Sequence, residues 1–120
     1  MYKILIVDDQ YGIRVLLKEI LQKDGHTIFE ASNGIQALDV LEKETPDLML
    51  LDMKIPGMDG VEILQERSNR QVAPDTQVVL MTAYGELNMM NEAKKLGACS
   101  YIPKPFDIDE VRSEIEKRLP

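Results

Sequence analysis

The sequence predicts a single α/β domain, a doubly wound parallel sheet of five strands with five helices over its faces. Three observations lead there. Short apolar runs alternate from end to end with stretches whose apolar residues recur at helical spacing. Strands separated by helices must pair in parallel, and their right-handed crossovers put helices on both sides of the sheet. A chain of 120 residues has room for one such core but not comfortably for two.

The first strand is Ile4-Leu5-Ile6-Val7, ending in Asp8-Asp9. Ile13, Leu16, Leu17, Ile20 and Leu21 then follow helical spacing until Gly25 stops the helix. Thr27 to Ala31 reads as the second strand, and Ser32-Asn33-Gly34 as a turn or cap before a helix carrying Ala37, Leu38 and Leu41. Pro46-Asp47 opens the third strand, Leu48-Met49-Leu50-Leu51-Asp52. Pro56-Gly57 and Asp59-Gly60 mark a loop, and a third helix follows with Val61, Ile63 and Leu64. Ser68 to Gln77 is polar and reads as a helix end plus a surface loop. Strand four, Val78-Val79-Leu80-Met81, ends in Thr82. A fourth helix runs from about Glu86 to Leu96 and stops at Gly97. Strand five, Ser100-Tyr101-Ile102, halts at Pro103-Lys104-Pro105. Asp107 with Glu110 forms a capping box for the last helix, whose inner stripe is Ile108, Val111, Ile115 and Leu119.

Apolar letters make up 44% and charged letters 29% of the chain, a globular composition. The net charge of −7 and the lack of any Lys or Arg run argue against nucleic acid. No stretch of about 18 apolar residues occurs, so no membrane span is expected. The start of the chain lacks a signal-sequence pattern, and the lone Cys99 implies no internal disulfide. Together these predict a cytoplasmic protein. Cys99, next to a short strand, is expected to be a buried small hydrophobe. Met81, Met89 and Met90 are expected to fill the core and helix faces.

Ligands of open α/β sheets sit outside the carboxyl ends of the strands. That rule gathers Asp8, Asp9, Asp52 and Thr82 into one small site. Three ionised acids there would repel one another, so a proton is shared or a cation neutralises them. Oxygen ligands without His or Cys favour a hard ion, and Mg²⁺ suits a few carboxylates, retained waters and a phosphate. Lys104 ends the fifth strand and points over the same edge, where an ammonium can neutralise a phosphoryl group. Thr82 offers a hydroxyl, although a strand-terminal Thr also commonly bonds to backbone. A carboxylate nucleophile, a metal, a hydroxyl and a Lys together specify phosphoryl transfer through an aspartyl phosphate.

At Val7-Asp8-Asp9, Leu50-Leu51-Asp52-Met53-Lys54-Ile55-Pro56-Gly57-Met58-Asp59-Gly60, Met81-Thr82-Ala83 and Lys104-Pro105-Phe106 the chain resembles the receiver domains of two-component response regulators. The likeness covers essentially the whole sequence. It is greatest to single-domain regulators of sporulation-type phosphorelays, over Ile4 to Arg14, Leu50 to Gly60, Met81 to Leu87 and Lys104 to Glu110. The resemblance implies a flavodoxin-like sheet in the order 2-1-3-4-5. It implies that Asp52 accepts the phosphoryl group and that Asp9, Asp52 and the Lys54 backbone carbonyl bind Mg²⁺, or Mn²⁺ as a substitute. Asp8 would act on the metal through water, and Thr82 and Lys104 would hold the acyl phosphate. A cis Lys104-Pro105 bond is also implied.

Tyr101 occupies the place of the family's switching aromatic, which turns inward as Thr82 moves. A half-buried strand aromatic with its hydroxyl at the surface is the alternative. Lys54 and Tyr84, two positions beyond site residues, would tune the lifetime of the acyl phosphate. Periodicity alone packs Ile13 inward. The resemblance instead implies a docking surface of Gln10, Tyr11, Gly12, Ile13, Leu16, Pro105 and Phe106 for a helical, histidine-bearing partner.

The expected role is therefore a phosphorelay intermediate, loaded by a sensor histidine kinase and unloaded by a histidine phosphotransferase, with an aspartyl-phosphate phosphatase as a further partner. The chain is expected to be one receiver domain over residues 1–120, without an output domain, and a monomer. It would be a phosphotransfer protein with Mg²⁺-dependent self-phosphorylation rather than an enzyme acting on a separate substrate. The alternative is a chemotaxis-type switch that binds a target when phosphorylated. A haloacid-dehalogenase-type phosphatase fits poorly, because its first strand carries Asp-x-Asp where this chain has adjacent Asp8-Asp9.

Overall fold

The computed structural model describes residues 1–83 and 87–120, with the backbone alone at residue 87. Its elements run β1 (Lys3–Val7), α1 (Tyr11–Lys23), β2 (Thr27–Ala31), α2 (Gly34–Glu44), β3 (Leu48–Asp52), α3 (Gly60–Arg70), β4 (Gln77–Thr82), α4 (Leu87–Lys95), β5 (Ala98–Pro103) and α5 (Ile108–Arg118). All strand pairs are parallel, in the order β2-β1-β3-β4-β5.

Side-chain alternation divides the strands between two cores. Leu5, Val7, Met49, Leu51, Val78 and Leu80 pack against Ala37, Leu38 and Leu41 of α2, Ile63 and Leu64 of α3, and Ala93 of α4. Ile4, Ile6, Leu48, Leu50, Val79 and Met81 face Leu17 and Leu21 of α1 and Val111 and Ile115 of α5. The central strand β3 is buried at every position, which is why it reads as an unbroken apolar run. Met81 is a core residue, and the partly buried Met89 and Met90 pack against the first cluster, as expected.

Helix ends follow local chemistry. Asn33 caps α2 by accepting from the Gln36 N–H, and Asp107 with Glu110 forms the expected capping box on α5. A second box, Asp59 with Glu62, opens α3 where the sequence suggested only a loop. Gly25 and Gly97 stop α1 and α4 at φ +95° and +106°, a region that favours glycine. Gly60 answers a different demand. A Cβ there would stand 3.1 Å from the Met53 Cα, so α3 starts pressed against the residue after Asp52.

One expectation needs correction. Cys99 is exposed rather than buried, because β5 is an edge strand with every other residue turned outward. Leu16, at helical spacing with Leu17 and Leu21, is 50% exposed while those two fill the core. The fourth helix is described from Leu87, and its expected start at Glu86 lies outside the described residues. No described helix is long and apolar enough to cross a membrane.

Candidate active site

The site forms where β1, β3, β4 and β5 end. The β1–β3 register pairs Val7 with Leu51, so the residues that follow, Asp8 and Asp52, emerge side by side. Asp52 pairs with Met81, which places Thr82 one step further along β4. Thr82 in turn pairs with Pro103, and the Lys104 N–H donates to the Thr82 carbonyl at 2.6 Å. Neighbouring strand ends thereby bring residues far apart in sequence into one pocket. The Lys104-Pro105 bond that follows is cis, as expected.

Carboxylate oxygens of Asp8, Asp9 and Asp52 all lie within 4.8 Å of one another. Asp8 is fully buried, Asp52 is nearly so, and Asp9 is exposed. The Lys104 ammonium bridges the two buried acids, at 2.9 Å from Asp8 Oδ2 and 3.2 Å from Asp52 Oδ2. Backbone donors hold the acids from below. The Gln10 N–H donates to Asp8 Oδ1 at 2.9 Å, and the Lys54 N–H donates to Asp52 Oδ1 at 3.3 Å.

One ammonium between two buried acids, with a third beside them, leaves the cluster net negative. Burial pushes the Asp52 carboxyl above its ordinary range and the Asp8 charge pushes it further; Lys104 and the Lys54 N–H only partly oppose this. For Lys104, burial works against the ammonium, but the hydrogen bond to Asp8 and the charges of Asp52 and Asp8 hold it above the ordinary lysine value. The two directions agree: the lysine stays charged while Asp52 ionises at a cost. A divalent cation would remove that cost. The oxygen-only donor set and the close spacing of the three acids fit Mg²⁺.

Arg14 was not anticipated from sequence. Its Nη1 donates to the Asp8 carbonyl at 2.7 Å and its Nε reaches Glu30 on β2 at 3.3 Å. The guanidinium thus ties the acidic turn to the neighbouring strand. An Arg one turn into the helix after an acidic strand end is the available signal, though a surface salt bridge would read the same.

Of the expected docking residues, Gln10, Tyr11, Gly12, Leu16 and Pro105 are exposed. Ile13 and Phe106 are partly buried and pack against the α1–α5 core, so Ile13 serves the interior in part. Lys54 is exposed beside the site, and Tyr101 is 48% exposed on the edge strand. Tyr84 lies outside the described residues.

The chain is similar to known proteins over nearly its whole length. The chain is 58% identical over 118 residues to sporulation initiation phosphotransferase F of Bacillus subtilis strain 168, covering 98% of this chain and 94% of that one. It is 37% identical to the chemotaxis protein CheY of the same strain, covering 98% of each. A solved CheY-like response regulator receiver domain from Methanospirillum hungatei JF-1 matches it at TM-score 0.91 and 30% identity, over 99% of this chain and 94% of that one. The family model for the response regulator receiver domain matches residues 4–116, which take in every strand but the first residue of β1 and the acids and lysine at the strand ends. The chain belongs to the response regulator receiver domain family.

Proposed function

We propose that this receiver domain is a phosphorelay intermediate in which Asp52 accepts a phosphoryl group from a phosphohistidine and yields it to a second histidine. The observation that carries the reading is the Lys104 ammonium held between Asp8 and Asp52 within reach of the acidic cluster. The likeness to a sporulation phosphotransferase over nearly both chains supports the relay role.

Asp9 and Asp52, with the Lys54 carbonyl, would hold Mg²⁺, and Asp8 would act on it through water. When bound, the metal supplies positive charge that offsets the phosphoryl oxygens. The chain's own residues do the rest. An Asp52 carboxylate oxygen attacks phosphorus, the bond to the histidine nitrogen breaks with its electron pair going to that nitrogen, and the imidazole, already protonated on its other ring nitrogen, leaves neutral. Lys104 neutralises a phosphoryl oxygen and the Thr82 hydroxyl donates to another, so that catalysis is positioning and charge stabilisation. The buried strand ends hold these groups in place before the donor arrives. Thr82 and Tyr101 would report the loaded state, and the exposed Lys54 would tune its lifetime.

Gln10, Tyr11, Gly12, Ile13, Leu16, Pro105 and Phe106 would meet the partners, a sensor histidine kinase, a histidine phosphotransferase and an aspartyl-phosphate phosphatase. Incubation with Mg²⁺ and a small phosphodonor should label the wild type and not Asp52→Ala. Label retained by the variant would sink the proposal.

A second reading, a switch that binds a target protein when phosphorylated, is favoured by the full-length match to a chemotaxis protein. Return of label to a histidine phosphotransferase separates the two, because a switch of that kind does not need it.

A further inference from the structure

Gly34 is the first residue of α2, it is buried, and its φ is not positive, so its backbone makes no demand for glycine. Its neighbours do. A Cβ at Gly34 would stand 2.8 Å from Met58 Sδ, 2.9 Å from Met58 Cβ and 3.1 Å from Ile63 Cγ1. The Met58 sulfur ends a flexible side chain and could turn aside, but the Met58 Cβ moves only with its backbone. Glycine at this position therefore makes room for Met58.

Met58 immediately precedes Asp59, the N-cap of α3, and Ile63 is the fourth residue of that helix. Apolar residues at these two positions form a hydrophobic staple, which fixes the angle at which a chain enters its helix. The capping box of Asp59 with Glu62 holds the same turn. Both members of the staple also close on Gly34, so the entry to α3 is set against the start of α2. Met58 is partly buried and packs on the core cluster that contains Ile63 and Leu38.

The loop fixed in this way begins at Asp52. The Gly60 N–H closes it on the Met53 carbonyl at 2.9 Å. Met53 and Ile55 are buried, while Lys54, Pro56 and Gly57 are exposed. The Lys54 N–H donates to Asp52 Oδ1 at 3.3 Å, long enough that a further displacement of a few tenths of an ångström would end the bond.

We propose that Met58 is a positioning residue of the phosphoryl site, wedged against Gly34 so that the start of α2 sets where the Lys54 N–H meets Asp52. The proposal rests on Asp52 being the phosphoryl acceptor. A thioether offers the acids neither charge nor donor, so Met58 acts through the backbone of its loop.

The test compares Met58→Ala, Met58→Leu and Gly34→Ala in the full chain, each at a temperature where urea titration shows it folded. In the metal-free protein, Met58→Ala and Gly34→Ala should shift the Lys54 amide proton upfield, as loss of its acceptor does. Mg²⁺ affinity by calorimetry should fall roughly tenfold in both, the usual cost of losing a group that orients a metal ligand. Met58→Leu nearly conserves volume and should stay within about twofold of the wild type. Leu41→Val loosens the inner face of α2 further along the helix, and it should lower stability while moving neither readout. The proposal is overturned if either readout in Met58→Ala stays at its wild-type value. It is equally overturned if Met58→Leu or Leu41→Val loses as much as Met58→Ala. If Gly34→Ala does not fold, Met58→Ala decides. Neither readout involves a phosphoryl group, whereas the phosphoryl reading fails on labelling of Asp52→Ala, so the two failures are distinguishable.

Discussion

The Lys104 ammonium stands 2.9 Å from Oδ2 of Asp8, a carboxylate with no exposure to solvent. Removing one partner of such a pair strands the other charge away from water. Lys104→Met is expected to destabilise the metal-free protein by about 3 kcal/mol, measured by urea denaturation, with Mg²⁺ recovering part of the loss. The pH dependence has a definite sign. Because the folded-state pKa of Lys104 is raised, its contribution is fully present below the ordinary lysine value and is lost as pH rises through the folded value. The variant's deficit should therefore shrink at high alkaline pH. A variant as stable as wild type at neutral pH would mean that Asp8 does not carry its charge unaided.

Asp52 has the opposite relation to stability. Its carboxyl is raised by burial and then by Asp8, so the folded state binds a proton that the unfolded chain has already released. The ionisation penalty is absent below the unfolded carboxyl value and complete above the folded one. Asp52→Asn is expected to stabilise the metal-free protein at neutral pH by about 1 kcal/mol, a Tm gain of roughly 4 °C, and to abolish labelling. The gain should vanish as pH falls through that window. Lower stability at neutral pH would show that Asp52 carries a net favourable interaction.

Much of this was legible in the sequence, for reasons that differ by residue. The strands of a parallel sheet are apolar on both faces, so Leu48 to Leu51 identify themselves, and the carboxyl-edge rule then points to Asp8, Asp52, Thr82 and Lys104. Side-chain direction on exposed elements was less legible. Leu16 fits the helical period but sits beyond the edge of the buried stripe, and Cys99 shares a strand with the buried Ile102 while facing outward. Arg14 and Arg67 escaped because each is defined by the carbonyls it meets, and those lie on other elements or loops.

Gly60 connects the start of α3 to the chemistry. An added methyl would stand 3.0 Å from Met53 Sδ and 3.1 Å from Met53 Cα, and the second contact is to backbone that cannot turn aside. Gly60→Ala is expected to cost about 1–3 kcal/mol in thermal or urea unfolding and to slow labelling of Asp52, the residue before Met53. Normal stability with normal labelling would show that α3 shifts without disturbing β3.

Arg14 should act on the metal site without touching the metal. Its bonds to the Asp8 carbonyl and to Glu30 fix the turn that presents Asp8 and Asp9. Groups that orient ligands typically change metal affinity by tenfold or more, so Arg14→Ala is expected to weaken Mg²⁺ binding roughly tenfold by calorimetry. Arg14→Lys, which keeps a charge near Glu30 but not the two-sided clamp, should recover little. Unchanged Mg²⁺ affinity in Arg14→Ala would reduce the residue to a surface brace.

Recognition and chemistry should separate at Leu16. The side chain is 50% exposed on α1 and makes none of the contacts that hold the acids, so shortening it leaves the phosphoryl site intact. An apolar side chain covered by a partner helix contributes through burial at about 25 cal/mol per Å², and its loss should appear in encounters with protein donors alone. Leu16→Ala is expected to slow transfer from a phosphorylated histidine kinase or to a histidine phosphotransferase by roughly tenfold. Labelling by a small phosphodonor should be unchanged, as should Mg²⁺ affinity. If both donors slow together, Leu16 supports the fold of α1 rather than a partner. If neither slows, the relay partners dock elsewhere, and the exposed face carrying Tyr101 becomes the surface to probe by the same pair of assays.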